Sequence, residues 1–482
     1  MTNPTRRAFL GAAAMTTAAA GMGGRAAAGF APKSTDVGIE DVSFEYEDYS
    51  YRAPLKFGGI VVEKATILNV RCVVRSRGGE TAGGFGSMPL GNVWSFPSRR
   101  LSYDQTLAAM KALAGKVRDL TAAHREPGHP IDVNRDLEPD YLKAAADVAR
   151  DLDLGEPIPK LCALVTASAF DAAVHDAFGK LHGLNCYKTY GPEFMSRDLG
   201  EYLGPEFKGE PAGRYVSTRA RGKMPLYHLV GAVDPITRDD VEKPIGDGLP
   251  ETLPEWIDHN GLTHLKIKLN GDDLDWDVAR VVKVDRVAAE VQKRRGVADW
   301  VYSLDFNERV PNVAYLVDFI ARLKADAPEG FRRVRYIEQP TVRDLRAVEP
   351  HALDAASKSL PIVIDESLTD YEALLMSRDR GYTGVALKAC KGQSHAVLLA
   401  AAARKFEMFL CVQDLTCPGA SLIHSAGISA HIPGVHAIEA NARQYMPEAN
   451  RAWAERFPGL FHVVDGLMDT SALDGPGLSA VP

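Results

Sequence analysis

One pattern limits what this chain can fold into more than any other: from residue 226 onward, short apolar runs alternate with stretches of helical periodicity. The runs lie at residues 226–233, 264–269, 301–306, 334–337, 361–364, 384–387, 408–412 and 436–438. Between them, apolar residues recur every three or four positions, as at 278–294, 313–324, 371–380 and 394–406. Strand-length runs separated by helix-length ones imply parallel strands joined by helical crossovers. Eight of them in this length match a closed (β/α)8-type barrel over residues 225–445. The rival, an open doubly wound sheet, would carry a glycine-rich fingerprint after its first strand, and none follows residues 226–233. The fold class is therefore α/β.

The first half of the chain has a different texture. Strand-like residues at 60–62 and 65–74 are followed by turn-rich sequence at 78–97, then by helical periodicity at 103–119, 141–151 and 163–180. Strands followed by helices predict a separate α+β domain over residues 38–190. Residues 191–224, rich in Gly, Pro and charge, read as a linker whose basic run (Arg214, Arg219, Arg221, Lys223) faces solvent. The final segment, 446–482, is expected to pack back on the N-terminal domain. Residues 1–28 stand apart: Arg6 and Arg7 precede a weakly apolar Ala/Gly/Met stretch that ends in Arg25-Ala26-Ala27-Ala28. This order resembles a twin-arginine signal peptide, so the chain is expected to be periplasmic or otherwise exported.

Composition closes off other classes. Of the 482 residues, 46% are hydrophobic and 25% charged, the mixture of a globular protein. The net charge is −7, and residues 1–28 hold three arginines and no acids, so the remainder carries −10. A nucleic-acid or anionic-membrane partner would call for a basic footprint instead. No apolar run approaches the roughly 18–20 residues of a bilayer span. The six cysteines form no C-x-x-C pair and are expected to be buried and unpaired. His424, His431 and His436, at intervals of 7 and 5 across Pro433, lack a zinc spacing and are expected to pack on a helix face.

Barrel active sites are built where strands end, and here each run expires on ionisable residues. The second ends Lys266-Ile267-Lys268, the third Asp305-Phe306-Asn307 and the fourth Glu338-Gln339-Pro340. The fifth ends Asp365-Glu366-Ser367 and the sixth Lys388-Ala389-Cys390-Lys391. Lys268, Asp305, Glu338, Asp365 and Lys388 follow one another at 37, 33, 27 and 23 residues, each close to one β/α unit. A strand end meeting solvent explains one or two polar residues. It does not explain three consecutive acids flanked on both sides by lysines.

Three converging carboxylates repel unless a hard cation sits among them, and an all-oxygen set suits Mg²⁺. Such an ion leaves room for a substrate carboxylate and stabilises the charge that builds when its α-proton is removed. Lys266 and Lys268, two apart on a strand, share a face toward the barrel interior, and Lys388 approaches from across. A lysine near Mg²⁺ and a second ammonium group is expected to have its pKa drawn down. Two bases on opposite faces of one carbon are what racemisation needs.

Lys-x-Lys, Asp-x-Asn, Glu-Gln-Pro, Asp-Glu-Ser and the sixth-strand lysine, in this order, resemble the enolase superfamily and within it the muconate-lactonizing-enzyme-like subgroup. The similarity spans roughly residues 55–445 and includes residues 171–183, which resemble the end of that family's capping domain. It implies a modified (β/α)7β barrel under an N-terminal α+β cap, commonly in a homo-oligomer. It also implies Asp305, Glu338 and Asp365 as ligands of Mg²⁺ (or Mn²⁺), Lys268 and Lys388 as the acid/base pair, and Lys266 holding the substrate carboxylate. Asn307, Glu366 and Lys391 would support these from behind, with Glu366 turned away from Asp365 toward a lysine. Glu439, on the eighth strand, would either touch the substrate or form a surface salt bridge. The dipeptide-epimerase Asp-x-Asp is lacking there, where Glu439-Ala440-Asn441 stands, and Gln413-Asp414 replace the seventh-strand histidine of the mandelate racemases. Residues 83–97 match the family's substrate-covering loops, so Trp94 and Phe96 are expected either over the substrate or in the cap core.

The implied function is a Mg-dependent racemase or epimerase that abstracts the proton next to a carboxylate of a small substrate through a metal-stabilised enediolate. The alternative is a lyase or cycloisomerase, which shares the first half-reaction. A non-catalytic carboxylate-binding protein would be expected to lack one of the lysines, and all are present.

Overall fold

A computed structural model of the chain describes residues 32–57 and 60–479. The twin-arginine pattern at residues 1–28 lies outside them. The N-terminal domain is an antiparallel sheet of β1 (Val37–Phe57), β2 (Ile60–Ser76) and β3 (Thr81–Pro89), in that spatial order. A short helix, α1 (Asn92–Ser95), follows, then α2 (Tyr103–Ala123), α3 (Pro130–Asp151) and α4 (Lys160–Leu181). Ser102 starts α2 with a capping box closed by Gln105.

Two of these elements correct the sequence reading. β1 is an edge strand with one face in solvent, so its Glu, Asp and Tyr residues hide the strand pattern that β2 shows. β3 occupies sequence expected to be turns, because its glycines look like turn residues. They serve close approach instead: a Cβ on Gly84 would lie 2.1 Å from the Ala173 carbonyl oxygen, and one on Gly86 1.9 Å from that of Ala169. Both carbonyls belong to α4, so the glycines let this helix lie directly on the strand.

A third correction concerns α4 itself. Its 22 residues, with mean hydropathy 1.3, are long and apolar enough to cross a bilayer, contrary to the expectation that no run comes near. The helix is instead buried from Leu161 to Gly179 between the cap sheet and the barrel, where an all-round apolar surface is the normal requirement.

Residues 199–215 run through short 3₁₀ turns that bury Leu199, Phe207 and Tyr215, while Arg214, Arg219, Arg221 and Lys223 stay exposed. The barrel strands follow: β4 (Lys223–Val230), β5 (His264–Lys268), β6 (Val301–Asp305), β7 (Val334–Glu338), β8 (Ile362–Ile364), β9 (Gly384–Leu387), β10 (Phe409–Val412) and β11 (Val435–Glu439). Neighbours in this order pair in parallel, and pairing of Ile438 with Leu226 and Glu439 with Tyr227 closes the ring. All eight strands overlap the apolar runs, and four intervening helices coincide with the amphipathic stretches, while the helices Leu253–Asn260 and Ala420–His431 lie outside them. Beyond the barrel, β12 (Leu467–Asp469) pairs antiparallel with the start of β4. Trp453 stacks on Phe85 of the cap sheet at 6.1 Å, and the Leu478 N–H donates to Asp176 of α4, so the tail touches both domains.

Period-two alternation then positions the site. Tyr227, Tyr336, Val363, Ala386, Cys411 and Ala437 form an apolar plug inside the barrel. Two residues further along the same strands come Glu338, Asp365, Lys388, Gln413 and Glu439, so a charged layer sits directly on the plug. Lys266 and Ser303 occupy the plug level on β5 and β6, with Lys268 and Asp305 above them. On β4 the upper layer is Leu229, which packs with Leu55 of β1 and Tyr445. The six cysteines are buried and free. His424 accepts a hydrogen bond from the Ser87 N–H, His431 stacks on Tyr187 at 4.1 Å, and His436 sits against Tyr227 and His264.

Candidate active site

The residues singled out at the strand ends come together in one buried cluster. Lys268 and Asp305 are direct cross-strand partners, as are Asp305 and Glu338. The Lys268 ammonium donates to Asp305 Oδ2 at 2.5 Å and to Asn307 Oδ1 at 2.9 Å. Lys266 reaches up from the plug level to the centre, donating to Glu338 Oε1 at 2.9 Å, Glu439 Oε2 at 2.9 Å and Gln413 Oε1 at 2.7 Å, with Asp305 Oδ2 at 3.1 Å. Lys388 faces Asp365 Oδ2 at 2.8 Å, and Lys391 donates to the Asp365 carbonyl at 2.5 Å.

The ring order fixes how these groups face one another. β5 and β9 are four strands apart in a ring of eight, so Lys268 and Lys388 stand on opposite walls. The arc between them is β6, β7 and β8, which carry Asp305, Glu338 and Asp365. The other arc supplies Gln413 and Glu439.

The motifs have local reasons. Gln339 of Glu-Gln-Pro accepts hydrogen bonds from the N–H groups of Asp365 and Ser367 and donates to Ser367 Oγ, locking the end of β7 to Asp-Glu-Ser after β8. Asn307, Glu308 and Gln339 adopt left-handed backbone, at φ of 45°, 60° and 34°. Three non-glycine residues in that region within one site store strain where side chains must be aimed. Trp94 lies in α1 of the cap, buried over the site; its indole N–H donates to Glu366 Oε1 at 2.9 Å. Glu366 also accepts from Asn307, so its hydrogen bonds come from Trp94 and Asn307 where a lysine partner was expected. Phe96 lies in the main hydrophobic core.

Three residues escaped the sequence reading as site components. Gln413 takes the central lysine and donates to the Tyr336 hydroxyl; its place at the end of the seventh run was the available signal. Glu308 and Arg343 form a bidentate pair, and Arg343 also donates to the Trp94 carbonyl. Both lie in loops past the strands, where spacing carries no signal.

Electrostatics follow from burial and neighbours. Burial pushes Asp365 up, but Lys388 and Lys391 overcome it and leave its pKa at about 2. Asp305 is likewise held below the usual range against burial, by Lys268 and Lys266. Glu338 goes the other way: burial and then the negative Asp305 and Asp365 raise it well above normal despite Lys266. Asp414 is raised to about 6 by burial and Glu439. Burial pushes Lys388 down, but the attraction of Asp365 outweighs it and raises the lysine. Lys391, dominated by burial, is lowered.

Whether a divalent cation suits these residues can be judged from their charge. Among the described residues no three carboxylates are gathered at ligating distance, since the ammonium groups hold Asp305, Glu338 and Asp365. Counted as ionised, Lys266, Lys268, Lys388 and Lys391 face Asp305, Glu338, Asp365, Glu366, Asp414 and Glu439, leaving two negative charges uncompensated. Glu338 Oε2 is a buried carboxylate oxygen with no partner, as is Glu366 Oε2. An all-oxygen set short of two positive charges fits Mg²⁺.

Comparison with known proteins agrees with this architecture. Residues 249–482 match the family model for enolase C-terminal domain-like proteins. No curated protein matches the chain by sequence. Among solved structures, an enolase from Bradyrhizobium complexed with magnesium and mandelic acid is 18% identical, with a TM-score of 0.58 over 92% of this chain and 96% of that one. A muconate lactonizing enzyme from Pseudomonas fluorescens complexed with muconolactone is 16% identical, with a TM-score of 0.56 over 92% and 95%. A dipeptide epimerase from Enterococcus faecalis complexed with Mg and L-Leu-L-Tyr is 14% identical, with a TM-score of 0.57 over 92% and 99%. At these identities the likeness is one of fold, a cap over a closed barrel. The C-terminal part of the chain, residues 249–482, is thus enolase C-terminal domain-like, and the chain as a whole shares the two-domain fold of the mandelate racemase and muconate lactonizing proteins.

Proposed function

We propose that this chain is an isomerase, a racemase or epimerase, that moves the proton on the carbon next to a carboxylate of a small substrate. The observation that carries the reading is the placement of Lys268 and Lys388 on opposite walls of the barrel, with three carboxylates on the arc between them. A substrate carbon held between the two lysines has one face toward each. Lys268, once it has given up its own proton, takes the proton from its face, and the ammonium of Lys388 returns one to the other, inverting the centre. In the reverse direction the roles exchange. Lys266, bridging Glu338 and Glu439 at the centre, supplies fixed positive charge toward the substrate carboxylate, whose oxygens gain charge as the proton leaves. Asp305, Glu338 and Asp365 would hold Mg²⁺, which supplies Lewis-acid stabilisation of that charge. The burial of the cluster beneath Trp94 excludes water.

Relatives of this fold complexed with mandelic acid, muconolactone or a dipeptide support a carboxylate substrate without selecting one. The test is incubation with magnesium and a panel of carboxylates in D₂O. Deuterium entering the α-position of retained substrate is expected. Loss of a β-substituent would replace the isomerase with a lyase, and the absence of both from a broad panel would sink the reading. The arginine pair and small-residue run in residues 1–28 further support export by the twin-arginine route. Fusing those residues to a reporter should carry it across the membrane only while Arg6 and Arg7 are intact.

A further inference from the structure

Above the charged layer lies a cavity of about 550 Å³, between the cap segment that carries Trp94 and the loops after β6, β7 and β8. Its inner wall is Trp94 and Asn307, which lie against Lys388 and Lys268, and Glu366, which accepts from both. Its outer wall carries guanidinium groups from both domains. Arg99, on the cap segment, is exposed and makes no ion pair with any described residue. Arg343, on the barrel, spends Nε and Nη2 on Glu308 and the Trp94 carbonyl, and its Nη1 is buried without an acceptor. Arg309 completes the rim, bonded to Asp272 and the Asn270 carbonyl. A buried donor left without an acceptor is costly, and a ligand that supplies one is correspondingly favoured.

We propose that this cavity takes a second anionic group of the substrate, a carboxylate or a phosphate at the far end from the reacting carbon, held between Arg99 of the cap and Arg343 of the barrel. The proposal rests on the function read above for its orientation of the substrate. Guanidinium groups suit such oxygens because their planar donors match them in pairs. An anion that bridges the two domains also draws the cap segment onto the barrel, holding Trp94 against Lys388.

Binding, measured by calorimetry in magnesium buffer, separates this from the chemistry. Butyrate, glutarate and 4-phosphonobutyrate share a chain and differ in the far end. One of the two dianions is expected to bind roughly tenfold or more tightly than butyrate, and which one wins tells carboxylate from phosphate. R99A should bring the favoured dianion down toward butyrate, whereas K268A, which removes proton transfer, should keep the preference. Equal affinity for all three, no binding of either dianion, or a preference that survives R99A overturns the proposal, whatever the D₂O exchange shows.

Discussion

The ring of Trp94, delivered by the cap, lies 4.1 Å from the ammonium of Lys388, delivered by the sixth barrel strand. A buried cation against an indole face is stabilised by the ring quadrupole. The same indole donates its N–H to Glu366, so one cap residue touches both the lysine and the carboxylate next to Asp365.

Replacing Trp94 therefore tests whether the cap takes part in the chemistry. W94F keeps an aromatic face and loses only the hydrogen bond to Glu366. It is expected to lower stability by about 1–3 kcal/mol and to slow α-proton exchange modestly. W94A also opens the site to water and should cost exchange much more than stability. Urea melts and D₂O exchange, run side by side, check this; unchanged exchange in W94A would show that the indole is only packing.

The two lysines should fail in different ways. K268A and K388A are each expected to slow exchange by roughly 10²–10⁴-fold, the usual worth of a positioned acid or base. K388A also strips Asp365 of its 2.8 Å partner in a buried site, and breaking such a pair costs about 3–5 kcal/mol. Stereochemistry separates them further. With one wall disabled, each enantiomer of a true substrate should exchange only through the remaining lysine, so NMR of both enantiomers in D₂O should show opposite preferences. Identical behaviour of the two variants toward both enantiomers would contradict placement on opposite walls.

Acid should unfold the protein through buried imidazoles. Burial lowers His129 to about 4 and His424 to about 3, against a normal value of 6.5. A group whose folded pKa is depressed binds more protons when unfolded, so its contribution is complete above pH 6.5 and is lost as pH falls toward the folded value. For His129 alone that loss reaches roughly 3 kcal/mol near pH 4. His129 also caps α3 by accepting from the Ile131 N–H. H129N retains a capping acceptor without a titrating ring, so urea melts from pH 7 to pH 4.5 should decline less steeply than in wild type. Equal slopes would refute the assignment.

Much of this was legible in the sequence, for reasons that particular residues make plain. The barrel strands are buried on both faces, so 384–387 and 408–412 appear as unbroken apolar runs whatever their neighbours. Lys268, Asp305, Glu338, Asp365 and Lys388 were visible because a strand end is a fixed place in a barrel. Glu308 and Arg343 were not, since loops past the strands have no period. β3 was misread because the space that Gly84 leaves is filled by α4, a contact between distant segments that no local pattern records.

Metal binding supplies the last expectation, and Glu338 is where it is sharpest. Its Oε1 is held by Lys266, its Oε2 has no partner, and its pKa is raised by burial and by two neighbouring carboxylates. A dication would relieve all three conditions, so magnesium should raise the melting temperature; at a hundredfold excess over Kd the gain is about 2.7 kcal/mol. E338Q removes the charge while keeping the size, and the glutamine still offers Lys266 an oxygen. Without metal this variant should be about as stable as wild type, because burial and the neighbouring carboxylates already disfavour the charged form of Glu338. With magnesium its melting temperature should stay where it was. EDTA should return wild type to its metal-free value and leave E338Q unmoved. If magnesium shifts both proteins equally, the ion binds elsewhere and the carboxylates between β6 and β8 serve only the lysines.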